Sequence, residues 1–218
     1  MFSSIRARLS TPGFFGLGLV TITWIIAFVA WTQHTPDALV APSAYDLFPL
    51  FGLMAFSTLW SIYAVMVYAA YFDIPRKALA SFYQTAGYAV LVLILAHPTA
   101  LIARLYMDGF GLPPGSYGSY VNQNYVWVVY LGTLSLFIFL AFELHRWFSK
   151  KSWWKWVVYA NDLAMLLVFY HGMTIGGELQ KGWFKYVWWF YGLVLAASII
   201  YLRVFAKRSR SSRLPIDT

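Results

Sequence analysis

Cysteine is absent from the chain. That excludes disulfides, thiolate-held iron–sulfur clusters and the C-x-x-C-H attachment of a c-type haem, so any haem here is held non-covalently. Charge is scarce: Asp, Glu, Lys and Arg make up 11% of the 218 residues, against 61% hydrophobic. A soluble domain carries roughly a quarter of its residues as charges, because its surface must face water. No Gly-rich dinucleotide fingerprint and no hydrolase, nuclease or metalloprotease constellation is present. Long repeats and interdomain linkers are missing too. The class that remains is an integral membrane protein of one domain. The net charge of +8 does not point to nucleic acid, because the basic residues gather at the ends of apolar segments and set orientation there.

Six apolar segments stand out, at about 13–31, 47–72, 79–104, 125–142, 156–176 and 184–202. At about 1.5 Å per residue each can cross the hydrocarbon core. They predict an all-α integral membrane bundle of six transmembrane helices in contact with lipid. The first follows a basic MFSSIRARLS, as a signal peptide would, but its length and the lack of a small-x-small cleavage site mark a retained span. Thirteen of the sixteen Lys and Arg residues lie at the N-terminus, in the second and fourth connections and in the tail. Only Arg104, Lys181 and Lys185 fall on the other side. The positive-inside rule then places both termini in the cytoplasm of a multi-pass cell-membrane protein. Residues 203–218 form a basic cytoplasmic tail that anchors the last helix or docks a partner or anionic lipid.

The longest outer connection, MDGFGLPPGSYGSYVNQN, reads either as a surface loop or as a lid over the outer face. Trp153, Trp154, Trp156, Trp183, Trp188 and Trp189 crowd the ends of spans five and six. Most are expected at the headgroup level, with a minority beside a cofactor.

Ionisable groups inside hydrocarbon are costly, so each needs an account. Leu91–Arg104, LVLILAHPTALIAR, puts His97, Pro98 and Arg104 in the third span; LLVFYHGMTIGG puts His171 in the fifth. Counted from the cytoplasmic ends, the two imidazoles reach similar depth in the outer half of the bilayer. They either grip one haem iron between them or are unrelated, each hydrogen-bonded to a neighbouring helix. Arg104 lies two turns outward from His97 on nearly the same face, where it would meet haem propionates or snorkel to the interface. Pro98 cannot donate to the carbonyl of Ile94, so a bend is expected there. Asp162, nine residues before His171, is half a turn away round the helix. It is either a neutral structural carboxyl bonded to Asn or Ser/Thr, or a proton-relay group. His145 reads as interfacial and His34 as solvated.

Over spans two to six the chain resembles the ferric-reductase-like transmembrane family, which includes ferric reductases, NADPH oxidases and the haem subunit of a bacterial methionine sulfoxide reductase. The resemblance is carried by Gly87 with His97 ten residues on, and by Trp154, Val158 and His171–Gly172. It implies a b-type cytochrome with His97 and His171 as axial ligands. The family often stacks two haems, but the second pair of positions holds Tyr83 (beside Gln84) and Val158. One haem b near the outer face is therefore implied, with the vacated inner site about 20 Å nearer the cytoplasm. The chain ends soon after the sixth span, leaving no room for the flavin and nicotinamide domains many members carry. Electrons would come from a cytoplasmic reductase, a flavin supplied by a partner or bound to the membrane domain, or quinol. The protein would then be the membrane electron-transfer subunit of an oxidoreductase. The alternative is a non-redox scaffold, partner subunit or small transporter that has lost haem.

Overall fold

The computed structural model describes residues 11–205. The N-terminal stretch with Arg6 and Arg8, and the tail with Lys207, Arg208, Arg210 and Arg213, lie outside the described residues. Of the expected basic tail only 203–205 is described. The described residues form helices, with no strand among them. In chain order these are α1 (Thr11–His34), α2 (Ala44–Tyr71), α3 (Ala80–Met107), the one-turn α4 (Tyr117–Tyr120), α5 (Val126–Phe142), the one-turn α6 (His145–Phe148), α7 (Trp154–Ile175), the one-turn α8 (Gly177–Gln180) and α9 (Phe184–Ile200). The last runs on into a π-helical turn over Tyr201–Phe205.

Five segments are long and apolar enough to cross a membrane: Pro12–His34, Ala44–Tyr71, Arg76–Met107, Gln123–Phe142 and Phe184–Phe205. These match five of the six segments expected from sequence. Helix α7 has 22 residues, enough in length, but Asn161, Asp162 and His171 dilute its apolar character and it falls outside that set.

Local chemistry sets the helix ends. Ser43 caps α2: its Oγ accepts from the Asp46 N–H at 3.3 Å, while the Ser43 N–H donates to Asp46 Oδ2 at 3.0 Å. This reciprocal capping box satisfies two backbone donors that the first turn leaves free. Helix α3 continues through Pro98 and stops where Gly109 takes a left-handed φ of +84°. There the Gly109 N–H donates to Tyr106 O and the Phe110 N–H to Leu105 O, the paired bonds of a Schellman stop.

Helix α2 is the central element. It packs most extensively on α3, then on α1 and α9, while α5 packs on α7. Indole donors reinforce the seams at main-chain and hydroxyl acceptors: Trp24 Nε1 to Thr58 Oγ1 (2.8 Å), Trp60 Nε1 to Tyr191 O (3.0 Å) and Trp188 Nε1 to Phe169 O (3.3 Å). In an apolar medium these bonds orient helices that apolar burial alone would leave free to rotate. The Phe56 and Trp188 rings meet at a tilt, 4.3 Å between centroids, in the same core.

Asp162 sits in a different environment from the one expected. Its carboxylate accepts from Arg203 Nε at 2.6 Å, Arg203 Nη2 at 2.8 Å and Tyr63 Oη at 2.7 Å. Asn161 donates instead to Tyr63 Oη, at 3.2 Å. The partner is thus a guanidinium from the last turn, a bidentate charge-assisted pair, and not an Asn or Ser/Thr hydrogen-bonding a neutral acid. Arg203, counted in the sequence among the orienting charges, reaches back into the bundle to make it. The half-turn offset holds: Asp162 faces α2 and the π-helical turn that follows α9, whereas His171 faces α5.

Candidate functional site

A cavity of about 660 Å³ lies between the α2/α3 pair and the α5/α7 pair, well within the size of cofactor sites. Leu59, Ile94 and Phe139 contribute to its deep end, Phe56 and Trp188 to one wall, and His34, Tyr45, Tyr120 and Glu178 to the outer end. His97 and His171 both line it. The structure therefore brings together, from α3 and α7, the two histidines that the sequence singled out.

Each imidazole is held the same way. His97 Nδ1 lies 2.6 Å from the Phe48 carbonyl on α2, and His171 Nδ1 lies 2.9 Å from the Val128 carbonyl on α5. A carbonyl can only accept, so Nδ1 carries the proton in both rings and Nε2 is left with its lone pair. Among the described residues neither Nε2 has a hydrogen-bond partner. A metal-binding imidazole is held in just this tautomer, its second nitrogen donating to a fixed acceptor.

Glycine makes the approach possible. A Cβ on Gly52 would lie 2.9 Å from the His97 ring, and one on Gly132 would lie 2.8 Å from the His171 ring. Each glycine is four residues past the accepting carbonyl, one turn further along the same helix face. The ring lies across the bare glycine and reaches the carbonyl one turn away. The α2/α3 and α5/α7 pairs thus repeat one device: carbonyl, glycine a turn later, histidine from the next long helix. Sequence reading missed Gly52 and Gly132. The signal available was a glycine in spans two and four, each preceding a histidine-bearing span.

Among the described residues no cluster of three or more His, Cys, Asp or Glu side chains could hold a metal ion. A pair of imidazoles without further protein ligands suits a metal whose remaining positions are filled by its own macrocycle.

Arg104 lies beside the outer end without lining the cavity. Its Nε and Nη2 pair with Asp108 at 3.1 and 3.0 Å, and Asp108 Oδ2 also accepts from Tyr45 Oη at 2.8 Å. The guanidinium sits 5.6 Å from the centre of the Tyr45 ring, and Tyr45 is the member of this group that reaches the cavity. The long connection between α3 and α5 folds over the site: Tyr117 and Tyr120 both line it, and Tyr117 is buried. It acts as a cap. Of the six tryptophans at the ends of spans five and six, Trp188 and Trp154 are buried, and the other four are exposed as expected of interfacial anchors.

At the outer end, burial pushes the Glu178 carboxyl above the usual carboxylate range, opposed by its own backbone N–H and by nearby His34. Burial likewise pushes the Tyr120 phenol up to about 12, helped by the charges of Glu178 and Tyr45. Tyr83, where a second ligand would stand in the family, packs against the apolar cluster of Val65, Leu79, Phe82 and Ala86.

Comparison with known proteins brings out no matching family model, no matching curated protein and no matching solved structure.

Proposed function

We propose that the chain is a membrane b-type cytochrome that carries electrons through one haem b, with His97 and His171 as its axial ligands near the extracytoplasmic face. In this reading α7 crosses the cell membrane with the other five long helices, both termini are cytoplasmic, and the bundle is of the ferric-reductase-like kind. The observation that carries the proposal is the paired device described above. Two half-buried imidazoles from different helices, each fixed at Nδ1 by a carbonyl across a glycine and each with an unbonded Nε2, line one cavity. A histidine that merely satisfied its own polarity would need no glycine cradle and no shared cavity.

Bound haem supplies a one-electron iron couple. The chain does the rest. Phe48 and Val128 hold the imidazoles in the ligating tautomer, Phe56 and Trp188 keep one wall dry, and the Tyr117–Tyr120 cap separates the site from the outer water. Arg104 stands at the rim, coupled to it through Asp108 and Tyr45. The electron donor is a separate partner: a cytoplasmic reductase, with or without flavin, or a quinol. The chain serves as the membrane electron-transfer subunit of an oxidoreductase. The transporter alternative depends on Asp162 and Asn161 as carriers in mid-membrane. Both are engaged in the Arg203–Tyr63 network, which favours a structural role.

The test is an absorption spectrum of the purified protein after haem reconstitution. A Soret band with sharp dithionite-dependent α and β bands is expected, and His97→Ala or His171→Ala should each abolish the low-spin spectrum. A colourless wild-type protein, or a spectrum indifferent to both substitutions, would refute the proposal.

A further inference from the structure

A buried carboxyl shares the cavity with the two histidines. Glu178, on the one-turn helix α8, is 6% exposed and lines the outer end of the same space. Among the described residues Glu178 makes no ion pair of the kind that joins Arg104 to Asp108 and Arg203 to Asp162. The titratable groups that face it are His34 at the end of α1 and Tyr120 on α4. Tyr45 of α2 stands behind Tyr120, stacked on it at 6.2 Å. Lys181 and Lys185, on the stretch that follows, are exposed. Helices α7 and α9, against which α8 packs, meet it through Gly172 and Trp188, which lie against Leu179 of α8, and bring no further charge to that contact.

We infer that Glu178 is a proton-binding site coupled to the redox centre of the cavity, taking up a proton from the outer water as the centre takes up an electron and releasing it on reoxidation. The inference rests on the haem reading above. One electron from an external one-electron donor and one proton from water arrive together, and the O–H bond formed at Glu178 is the only bond made.

Electrostatics supply the coupling. A dehydrated carboxylate costs more than a hydrated one, and burial already favours the neutral acid at this position. An electron added in the same low-dielectric cavity is a second negative charge, which repels the carboxylate and raises its proton affinity further. Conversely, an ionised Glu178 stabilises the oxidised centre. The midpoint potential therefore falls as pH rises through the titration of Glu178. The limit is one proton per electron, a tenfold change per pH unit, which is about 59 mV for a one-electron couple.

The experiment is a spectroelectrochemical titration of the full chain loaded with haem b, repeated at pH values spanning the carboxyl range and above. The wild type should show a falling potential over a pH window, and Glu178→Gln should flatten that window while keeping its Soret band. Glu178→Asp should restore a slope. Infrared difference spectra of the wild type should show a carboxylic acid C=O band appearing on reduction, a readout that does not depend on the variant folding. A Soret band with a pH-independent potential, an equal slope in Glu178→Gln (which would assign the proton to another group, such as a propionate), or no carboxylic acid band on reduction would each overturn the inference and leave the haem reading standing. A wild-type protein without a Soret band would overturn both.

Discussion

Replacing Gly132 with alanine tests the site at its tightest point. The new methyl would lie 2.8 Å from Nδ1 and Cε1 of His171, so the ring must retreat by about 0.6 Å to reach ordinary contact near 3.4 Å. A direct retreat stretches the 2.9 Å bond to the Val128 carbonyl to about 3.5 Å, past the useful range for N–H···O. Loss of such an outer partner typically costs 10- to 100-fold in metal affinity. Gly52→Ala begins from 2.9 Å, and the His97 bond from 2.6 Å. A retreat of about 0.5 Å leaves that bond near 3.1 Å, still within range, so the loss should be smaller. Gly87→Ala is the control, because a Cβ there meets nothing within 4 Å. All three exchanges share the same helix-propensity gain, up to about 1 kcal/mol, so propensity cannot explain a difference between them. The assay is a haem titration of the apoprotein followed at the Soret band, with circular dichroism to confirm the fold. The expected order of weakening is Gly132→Ala, then Gly52→Ala, with Gly87→Ala unchanged. If Gly132→Ala bound haem as tightly as Gly87→Ala, the cradle argument would be wrong.

Other outcomes can be read with simpler measurements. Arg203→Ala strands the buried Asp162 charge and should cost roughly 3–5 kcal/mol, seen as a lower melting temperature in detergent. Pairing Asp162→Leu with Arg203→Met should recover much of the loss, and a full-strength Arg203→Ala protein would contradict the assignment. Glu178 also makes stability depend on pH. Its folded carboxyl titrates above the ordinary range, so stability is complete at low pH and is lost as pH rises from that range through the raised value. Melting of the apoprotein should fall over that window in the wild type and stay flatter in Glu178→Gln; parallel curves would count against a buried neutral acid.

Much of the fold was legible in the sequence because crossing a membrane demands long apolar runs, and such runs need no tertiary information to be seen. The boundaries of α2, α3, α5 and α9 fall within a few residues of the apolar segments, with a capping box at Ser43 and a left-handed stop at Gly109. His97 and His171 stood out for the same reason, since polar groups are conspicuous against hydrocarbon. Helix α7 reads in the sequence as a span like the others, and its expected bounds agree with the helix at Trp154–Ile175. Its polar residues, which make it informative about function, are also what separate it from the five plainly apolar segments.

Composition and the lengths of the apolar runs thus determined the helical class, pointed to a membrane setting and marked the polar residues within the runs, since each is a property of one segment and its solvent. Only the tertiary structure decided which partners those residues have. It joined Asp162 to Arg203, turned the Tyr117–Tyr120 stretch into a cap, set Glu178 over the cavity, and matched each histidine with a carbonyl and a glycine on a neighbouring helix. The physical reason is that rotation and depth of one helix against another are set by side-chain packing and a few hydrogen bonds, which no single helix encodes alone.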